Sequence, residues 1–165
     1  MKKYTPETEG INHINMYSKS KTPLGVMLSN FYYYPIKTLD GDFSSVEGYW
    51  YWLGISDNEK RKEELRKAYG FKAKQLGRQI LFETNDGKNS RFDENFESKI
   101  SNAIWYKFKR NSNLLIPEYY NLPIVHYYVI GNRKVDMTDK YPWMMKNLTI
   151  MRDMIIEKQK KENIK

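Results

Sequence analysis

The sequence predicts a mainly α fold, in which one domain over residues 1–165 is built of helices with a few short β-strands. Three observations predict this fold class. Apolar residues recur at helical spacing between residues 92 and 108 and again after residue 142. Two serines are followed three positions later by a glutamate, a spacing typical of helix starts. Strand signals are confined to three short stretches, and 165 residues suffice to bury one continuous core.

The first elements are predicted to be short. Residues 1–10 show no period, which indicates a loose N-terminal arm. Alternation of apolar and polar residues over 11–17 predicts a short strand. Residues 35–43 predict a β-hairpin, because Asp40-Gly41 is a strong turn signal between two extended runs.

Helices are predicted through the middle of the chain. A second serine-to-glutamate spacing, at residues 56–59, predicts a charged helix that Gly70 ends, and a short helix follows over residues 71–77. A longer helix is predicted from a cap at Ser90 or Asp93 to about residue 109. Its apolar stripe consists of Phe92, Phe96, Ile100, Ile104 and Phe108.

The C-terminal part predicts one strand region and one helix. Residues 122–130 are β-branched and aromatic, and residues 133–136 can pair with them as a hairpin. Thr138 or Asp139 is the expected cap of a last helix over residues 141–160. Its apolar face is expected to lie in the core.

Composition indicates a soluble protein that meets phosphates. The formal charge is +8, from 28 Lys and Arg against 20 Asp and Glu. Part of this excess lies in a basic tail over residues 158–165, which is best interpreted as a solvated helix end. No cysteine is present, which excludes disulfides and thiolate chemistry. Without an export signal or a membrane-spanning run, the expected location is cytoplasmic, with no membrane partner.

Glu47 stands inside the densest aromatic run of the chain. Ser44 and Glu47 have capping-box spacing, so a helix is predicted to start here with Glu47 in its first turn. Glu47, Trp50 and Tyr51 then share one helix face. A carboxylate beside flat rings suits a pocket for a base or ribose. From spacing alone, Glu47 is either a helix cap or a catalytic acid.

Several motifs occur in an order that resembles a known family. They are Asn15-Met16-Tyr17-Ser18, Ser29-Asn30-Phe31 with Pro35-Ile36, Asp40-Gly41, Ser44-x-x-Glu47-Gly48-Tyr49-Trp50, and Ala73-x-x-x-Gly77-Arg78. Over residues 14–78 the chain is similar to the NADAR family, also called YbiA-like. This resemblance implies a helical YbiA-like fold and cleavage of N-glycosidic bonds in ribose-phosphate compounds, including ADP-ribose attached to a nucleobase.

The resemblance also implies site residues. Glu47 matches the essential glutamate of the family. A second acidic residue is expected near Asp136 or Asp139, although the Trp-Gly pair that usually follows it is absent; Asp136 is taken as the candidate. The expected substrate-binding residues are Tyr17, Ser18, Asn30, Phe31, Trp50, Tyr51, Arg78 and Phe92, with Trp105 as an alternative ring to Phe92 and Lys19 or Lys21 as further phosphate contacts.

The predicted function is therefore hydrolysis of the bond between ADP-ribose and a nucleobase, with ADP-ribosylated guanine in DNA as the preferred substrate and no cofactor or metal. His126 alone would not make a metal site. Two alternatives stay open. One is an N-glycosidase that acts on a phosphoribosyl amine metabolite of the riboflavin-pathway type. The other is a nucleotide-binding or nucleic-acid-binding module without catalysis.

Overall fold

The computed structural model describes residues 3–84 and 93–164. Helices dominate the described residues, and each strand has two to four residues, so the prediction of a mainly α fold is confirmed. The helices are α1 (Pro23–Leu28), α2 (Val46–Leu53), α3 (Gly70–Glu83), α4 (Phe96–Arg110) and α5 (Pro142–Asn163). The strands are β1 (Ile14–Asn15), β2 (Ile36–Thr38), β3 (Gly41–Phe43), β4 (Ile124–Val125), β5 (Tyr127–Ile130) and β6 (Arg133–Asp136).

The chain divides into two compact units. One comprises residues 30–107, and the other comprises residues 1–29 with residues 108–165. The prediction that the whole chain forms one domain stays a prediction. None of the helices that the structure describes combines the length and the apolar character needed to cross a bilayer.

The 30–107 unit begins with the predicted hairpin. Strands β2 and β3 pair antiparallel, with Ile36 opposite Phe43 and Thr38 opposite Gly41. Gly41 has a φ of +104°, a conformation that a side chain would strain, which explains the glycine at this position. Thr38 closes the turn, because its hydroxyl donates to the Gly41 carbonyl at 2.8 Å and accepts from the Asp40 N–H at 3.0 Å. The hairpin prediction is confirmed.

Two helix boundaries in this unit differ from the sequence prediction. The expected charged helix after residue 56 is a 3-10 helix over Lys60–Arg66, capped by Glu59, which accepts from the Arg61 N–H at 3.2 Å. Gly70 begins α3 instead of ending the preceding helix, and its φ is +61°. Helix α3 then continues to Glu83, beyond the predicted end at residue 77.

Helix α3 packs closely on α2 through a glycine. Ala73, Gly77 and Ile80 form its buried face. A methyl group added at Gly77 would lie 2.2 Å from Cγ of Tyr51, well inside contact distance. The Ala-x-x-x-Gly spacing therefore supplies the small residues that let the Tyr51 ring rest against α3.

Helix α4 carries the predicted apolar stripe. Phe96, Ile100, Ile104 and Phe108 are buried, as expected, whereas Trp105 is only half-buried. Asp93 precedes the helix, and its carboxylate accepts from the Asn95 N–H at 2.8 Å. Phe92, Ser90 and the predicted turn at residues 85–87 lie outside the described residues.

The other unit contains two small sheets. Strand β1 pairs parallel with β4, with Ile14 opposite Ile124, and β5 pairs antiparallel with β6 as predicted. Asn15 locks the first sheet to β5, because its side chain donates to the Tyr127 carbonyl and accepts from the Tyr127 N–H, both at 2.9 Å. Asn15 is almost fully buried, so these bonds satisfy both of its polar ends.

Two predictions for this unit need correction. The N-terminal arm is anchored at Glu9, which is buried and accepts from the Lys21 N–H at 2.9 Å and from the Asn15 N–H at 3.2 Å. Helix α5 begins after Tyr141 without a side-chain cap, so neither Thr138 nor Asp139 caps it. The basic tail is an exposed end of this helix, as expected: α5 continues to Asn163, and ion pairs at i, i+4, such as Lys161 with Glu157 at 3.7 Å, lie on its surface.

The close approach at Gly77 leads to a first prediction. We expect Gly77→Ala to lower the free energy of unfolding by about 1–3 kcal/mol, because the added methyl overlaps the Tyr51 ring. An alanine at an open helix position would instead add up to about 1 kcal/mol of helix propensity. Urea unfolding measures the change. Gln75→Ala, at an exposed position of the same helix, is the control and should be nearly neutral; an equal effect of both variants would contradict the close contact.

Candidate active site

Glu47 lies in the first turn of α2, as predicted, but it does not cap the helix. Ser45 is the cap, and its hydroxyl oxygen accepts from the Gly48 N–H at 3.0 Å. The same hydroxyl donates to the Ala68 carbonyl at 2.9 Å. The predicted capping box from Ser44 is therefore wrong by one residue. Because Ser45 caps α2, the Glu47 carboxylate is not needed as a cap and is available for another role.

Residues 30 and 31 lie against the start of α2. The Glu47 N–H donates to the Asn30 carbonyl at 2.9 Å, and the Gly70 N–H donates to the Phe31 carbonyl at 3.0 Å. The Asn30 side-chain oxygen is buried. The structure thus brings Glu47, Asn30 and Phe31 together, three of the residues that the resemblance implies.

The electrostatic environment of Glu47 is unusual for a carboxylate. Burial by the surrounding protein raises the pKa of Glu47 to about 7, and the positive charges of Lys74 and Lys107 oppose this rise. The residue keeps a partial opening to solvent. Glu47 therefore combines an accessible edge with a desolvated carboxyl group that exchanges a proton near neutral pH, which suits acid-base chemistry.

Lys107 is a site residue that the sequence prediction missed. It has 0% exposure, and burial lowers its pKa to about 7, while the charge of Glu47 acts in the opposite direction. Its ammonium nitrogen lies 5.9 Å from the centre of the Tyr32 ring. The sequence did indicate that Lys107 is buried, because it falls at i+3 from Ile104 and i+7 from Ile100, on the apolar stripe of α4. A charge on such a stripe requires a partner in the fold.

Two of the rings predicted to contact substrate, Trp50 and Tyr51, take part in packing. The Trp50 ring meets Phe96 of α4 edge to face, with 4.9 Å between ring centres. The Tyr51 ring rests against Gly77 of α3. Both rings keep partial exposure. They hold the neighbouring helices around α2, and their contact with substrate stays a prediction.

Arg78 lies on α3, one turn beyond Lys74. Its side chain is exposed, and Lys74 is the first of the two cations that act on Glu47. Residues four apart share a helix face. Lys74 and Arg78 thus form a short basic row that starts beside Glu47, a position that suits the phosphates of a bound nucleotide.

Three further predicted site residues belong to the other unit. The Tyr17 N–H donates to the Gly25 carbonyl at 3.2 Å, and Ser18 follows it in a half-buried turn. Asp136 is exposed at the end of β6 and accepts from the Thr138 N–H at 2.9 Å. Their roles at a substrate stay predictions.

The Asp136 carboxyl differs electrostatically from Glu47. Partial burial acts to raise the pKa of Asp136, but hydrogen bonds from Thr138 and the charges of Lys134 and His126 lower it below its ordinary value. Asp136 is therefore ionised at neutral pH. It could orient a cationic or hydroxyl group, but it does not exchange protons near pH 7.

A separate cavity of about 490 Å³ opens at the other end of α2, and Glu47 does not line it. Trp52 forms part of its wall. The charged groups around it are already paired, since Lys62 lies 2.9 Å from Asp57 and Lys99 lies 3.0 Å from Asp40.

Metal-binding side chains do not converge within residues 3–84 and 93–164, where no three of His, Asp and Glu lie close enough to hold an ion. The His126 ring is engaged with the backbone, because Nδ1 lies 2.7 Å from the Met16 carbonyl oxygen. The His13 ring lies 2.9 Å from the Tyr127 hydroxyl.

Fold and site together define a mainly helical protein with a desolvated glutamate at the start of a helix. The NMR structure of the E. coli protein YbiA has the same fold: it matches 93% of this chain and 88% of its own, with a TM-score of 0.54 and 20% sequence identity. No family model and no curated protein sequence matches the chain. The chain thus has a YbiA-like fold, and the predicted resemblance to the NADAR family is confirmed for the fold.

The buried charges lead to a second prediction. We expect the Glu47 carboxyl to titrate with a midpoint of about 7. Carbon NMR of the side chain, recorded as a function of pH, measures this midpoint. Lys107→Met should move this midpoint upward, because it removes a positive charge that favours the ionised carboxylate. Lys72→Met, an exposed position on α3, is the control and should leave it in place. A wild-type midpoint near 4.5, the ordinary value, would show that Glu47 is hydrated.

Proposed function

We propose that the protein hydrolyses the N-glycosidic bond between an ADP-ribosyl group and a nucleobase, with ADP-ribosylated guanine in DNA as the substrate. The observation that carries this proposal is Glu47, a desolvated carboxyl with a pKa of about 7 beside Asn30 and two cations. The YbiA-like fold supports it, because the resemblance to the NADAR family implies the same chemistry and the same glutamate.

The reaction needs a negatively charged group that stabilises the positive charge that develops at the anomeric carbon. As the bond from the anomeric carbon to the base nitrogen breaks, charge builds on the ribose, and an ionised Glu47 stabilises it. A water molecule supplies its oxygen to that carbon and gives one proton to Glu47. That proton then passes from Glu47 to the base nitrogen, directly or through solvent, so the carboxylate is restored and the products are ADP-ribose and the unmodified base. Glu47 thus acts as electrostatic stabiliser and general base.

Neighbouring residues have positioning roles in this proposal. Asn30 offers a donor and an acceptor to the ribose hydroxyls, and its backbone contact with Glu47 sets the distance between the two groups. Lys74 and Arg78 hold the pyrophosphate along α3. Lys107 is fully buried and acts on the substrate only through the charge of Glu47.

The distribution of basic residues favours DNA over a small metabolite. Lysines of the tail are in part balanced within α5, where Lys158 lies 4.0 Å from Glu162. On α3, by contrast, Lys72, Lys74 and Arg78 have no acidic residue between them. A basic surface beside Glu47 suits a polyanion, whereas a phosphoribosyl amine would need only one or two cations in the pocket.

The central test is substitution of Glu47. We expect Glu47→Gln to reduce release of ADP-ribose from modified DNA by at least about 100-fold, because the amide cannot balance developing positive charge. The variant should still fold, since Ser45 and not Glu47 caps the helix. Any loss of unfolding free energy then reports the partner charge that buried Lys107 loses. For the wild type, kcat/KM should rise with pH up to about 7 as Glu47 loses its proton.

The matched control for this test is Ser45→Ala. It should lower the unfolding free energy by about 1 kcal/mol through loss of the cap and retain hydrolysis at low temperature. Full activity of Glu47→Gln would sink the catalytic assignment. Absence of hydrolysis by the wild type, with binding of the nucleotide retained, would leave the protein as a nucleotide-binding module.

Ligand binding supplies an independent test of the substrate class. ADP-ribose at about one hundred times its Kd should raise the melting temperature by roughly 5–10 °C, because only the folded state binds it. Asn30→Ala should reduce this shift. A shift with a phosphoribosyl amine but not with ADP-ribose would favour the metabolite enzyme. No shift with either compound would contradict both proposals.

A further inference from the structure

Three aromatic side chains are exposed near the start of α3. Tyr33 is 55% exposed, Tyr69 is 51% exposed, and Phe71 is 65% exposed. The Tyr33 and Tyr69 rings contact each other edge to face, with 5.0 Å between their centres. Tyr69 and Phe71 flank Gly70, the first residue of the helix. We refer to Tyr33, Tyr69 and Phe71 as the ring cluster. Rings held in this way on a surface have free faces for a planar partner.

The segment that carries the ring cluster is basic. Residues 67–82 contain Lys67, Lys72, Lys74 and Arg78 and no carboxylate. Among the described residues, no acidic side chain forms an ion pair with Lys67, Lys72 or Arg78. Phe71, Lys74 and Arg78 stand at i, i+3 and i+7, so a ring and two cations share one side of α3. Aromatic faces with interleaved cations match a chain of bases and phosphates.

Backbone contacts join the ring cluster to the candidate active site. The Phe31 carbonyl accepts from the Gly70 N–H, and the adjacent Asn30 carbonyl accepts from the Glu47 N–H. On the other side, the Ser45 hydroxyl binds the Ala68 carbonyl. Adjacent residues thus hold Glu47 and Gly70, and Ser45 ties the first turn of α2 to Ala68, the neighbour of Tyr69.

We propose that the ring cluster, with Lys67 and Lys72, is the docking surface for the single-stranded nucleic acid that flanks the modified base. This inference rests on the proposed function for the identity of the base, but its physical basis is the exposed rings and their charge. One or two neighbouring bases stack on Tyr69 and Phe71, and the lysines contact the phosphates. A base in a duplex would first have to leave its stack, so single-stranded DNA binds better.

The test uses unmodified DNA and therefore does not depend on hydrolysis. Binding of a fluorescein-labelled single-stranded dodecamer is followed by anisotropy at low salt. Phe71→Ala and Tyr69→Ala should each weaken binding about tenfold, the effect of losing one base stack. Lys72→Gln should lower the slope of log affinity against log salt by about 0.7, the value for one phosphate contact with a single strand.

The matched control is Phe82→Ala. Phe82 is on the same helix and is 84% exposed, but Glu83 follows it and no described ring contacts it. Its removal should leave affinity unchanged. If Tyr69→Ala loses stability with its Tyr33 contact, Phe71→Ala alone decides, because no described ring contacts Phe71.

Three results would overturn the inference. They are wild-type affinity in Phe71→Ala, an equal loss in Phe82→Ala, and a dimer in sedimentation of the wild type that Phe71→Ala converts to a monomer. Each result differs from failure of the proposed function, which is inactivity toward the modified base with strand binding intact.

Discussion

The structure of the 30–107 unit depends on one constraint, the burial of the Glu47 carboxyl beside two lysines. Removal of a charge from water is costly, so the fold must hold its compensating charges in place. Ser45 fixes the first turn of α2 by one bond to Gly48 and one to Ala68. Gly48 is required there, because a methyl group would lie 2.4 Å from the Leu65 carbonyl oxygen. The backbone therefore closes tightly around the carboxyl.

The same burial links stability to chemistry. Glu47 and Lys107 both have pKa values moved toward 7 by loss of water, and each charge offsets part of the other's shift. A hydrated carboxylate in this place would stabilise the fold better but would exchange no proton near neutral pH. A buried pair such as Glu47 and Lys107, with both pKa values moved toward 7, is expected at a functional site, where a fold keeps charged groups that cost stability because they are reactive.

Aromatic residues divide into two sets by position. Trp50 and Tyr51 lie against α4 and α3 and hold the helices around Glu47. Tyr69 and Phe71, only twenty residues later, project into solvent. Aromatic content alone does not separate packing rings from binding rings, because helical spacing defines a face but not which neighbour covers it.

By itself, the sequence determined what depends on local spacing and turn chemistry: the helical class, the Asp40-Gly41 hairpin, the apolar stripe of α4 and the position of Glu47 in a first turn. The sequence did not predict the exact helix boundaries at Ser45 and Gly70. Either of two adjacent serines can cap a helix, and a glycine can end one helix or begin the next, so tertiary contacts decide between them. Only the tertiary structure decided that Lys107 faces Glu47. Their sixty-residue separation carries no periodic signal, and long-range burial alone creates the interaction.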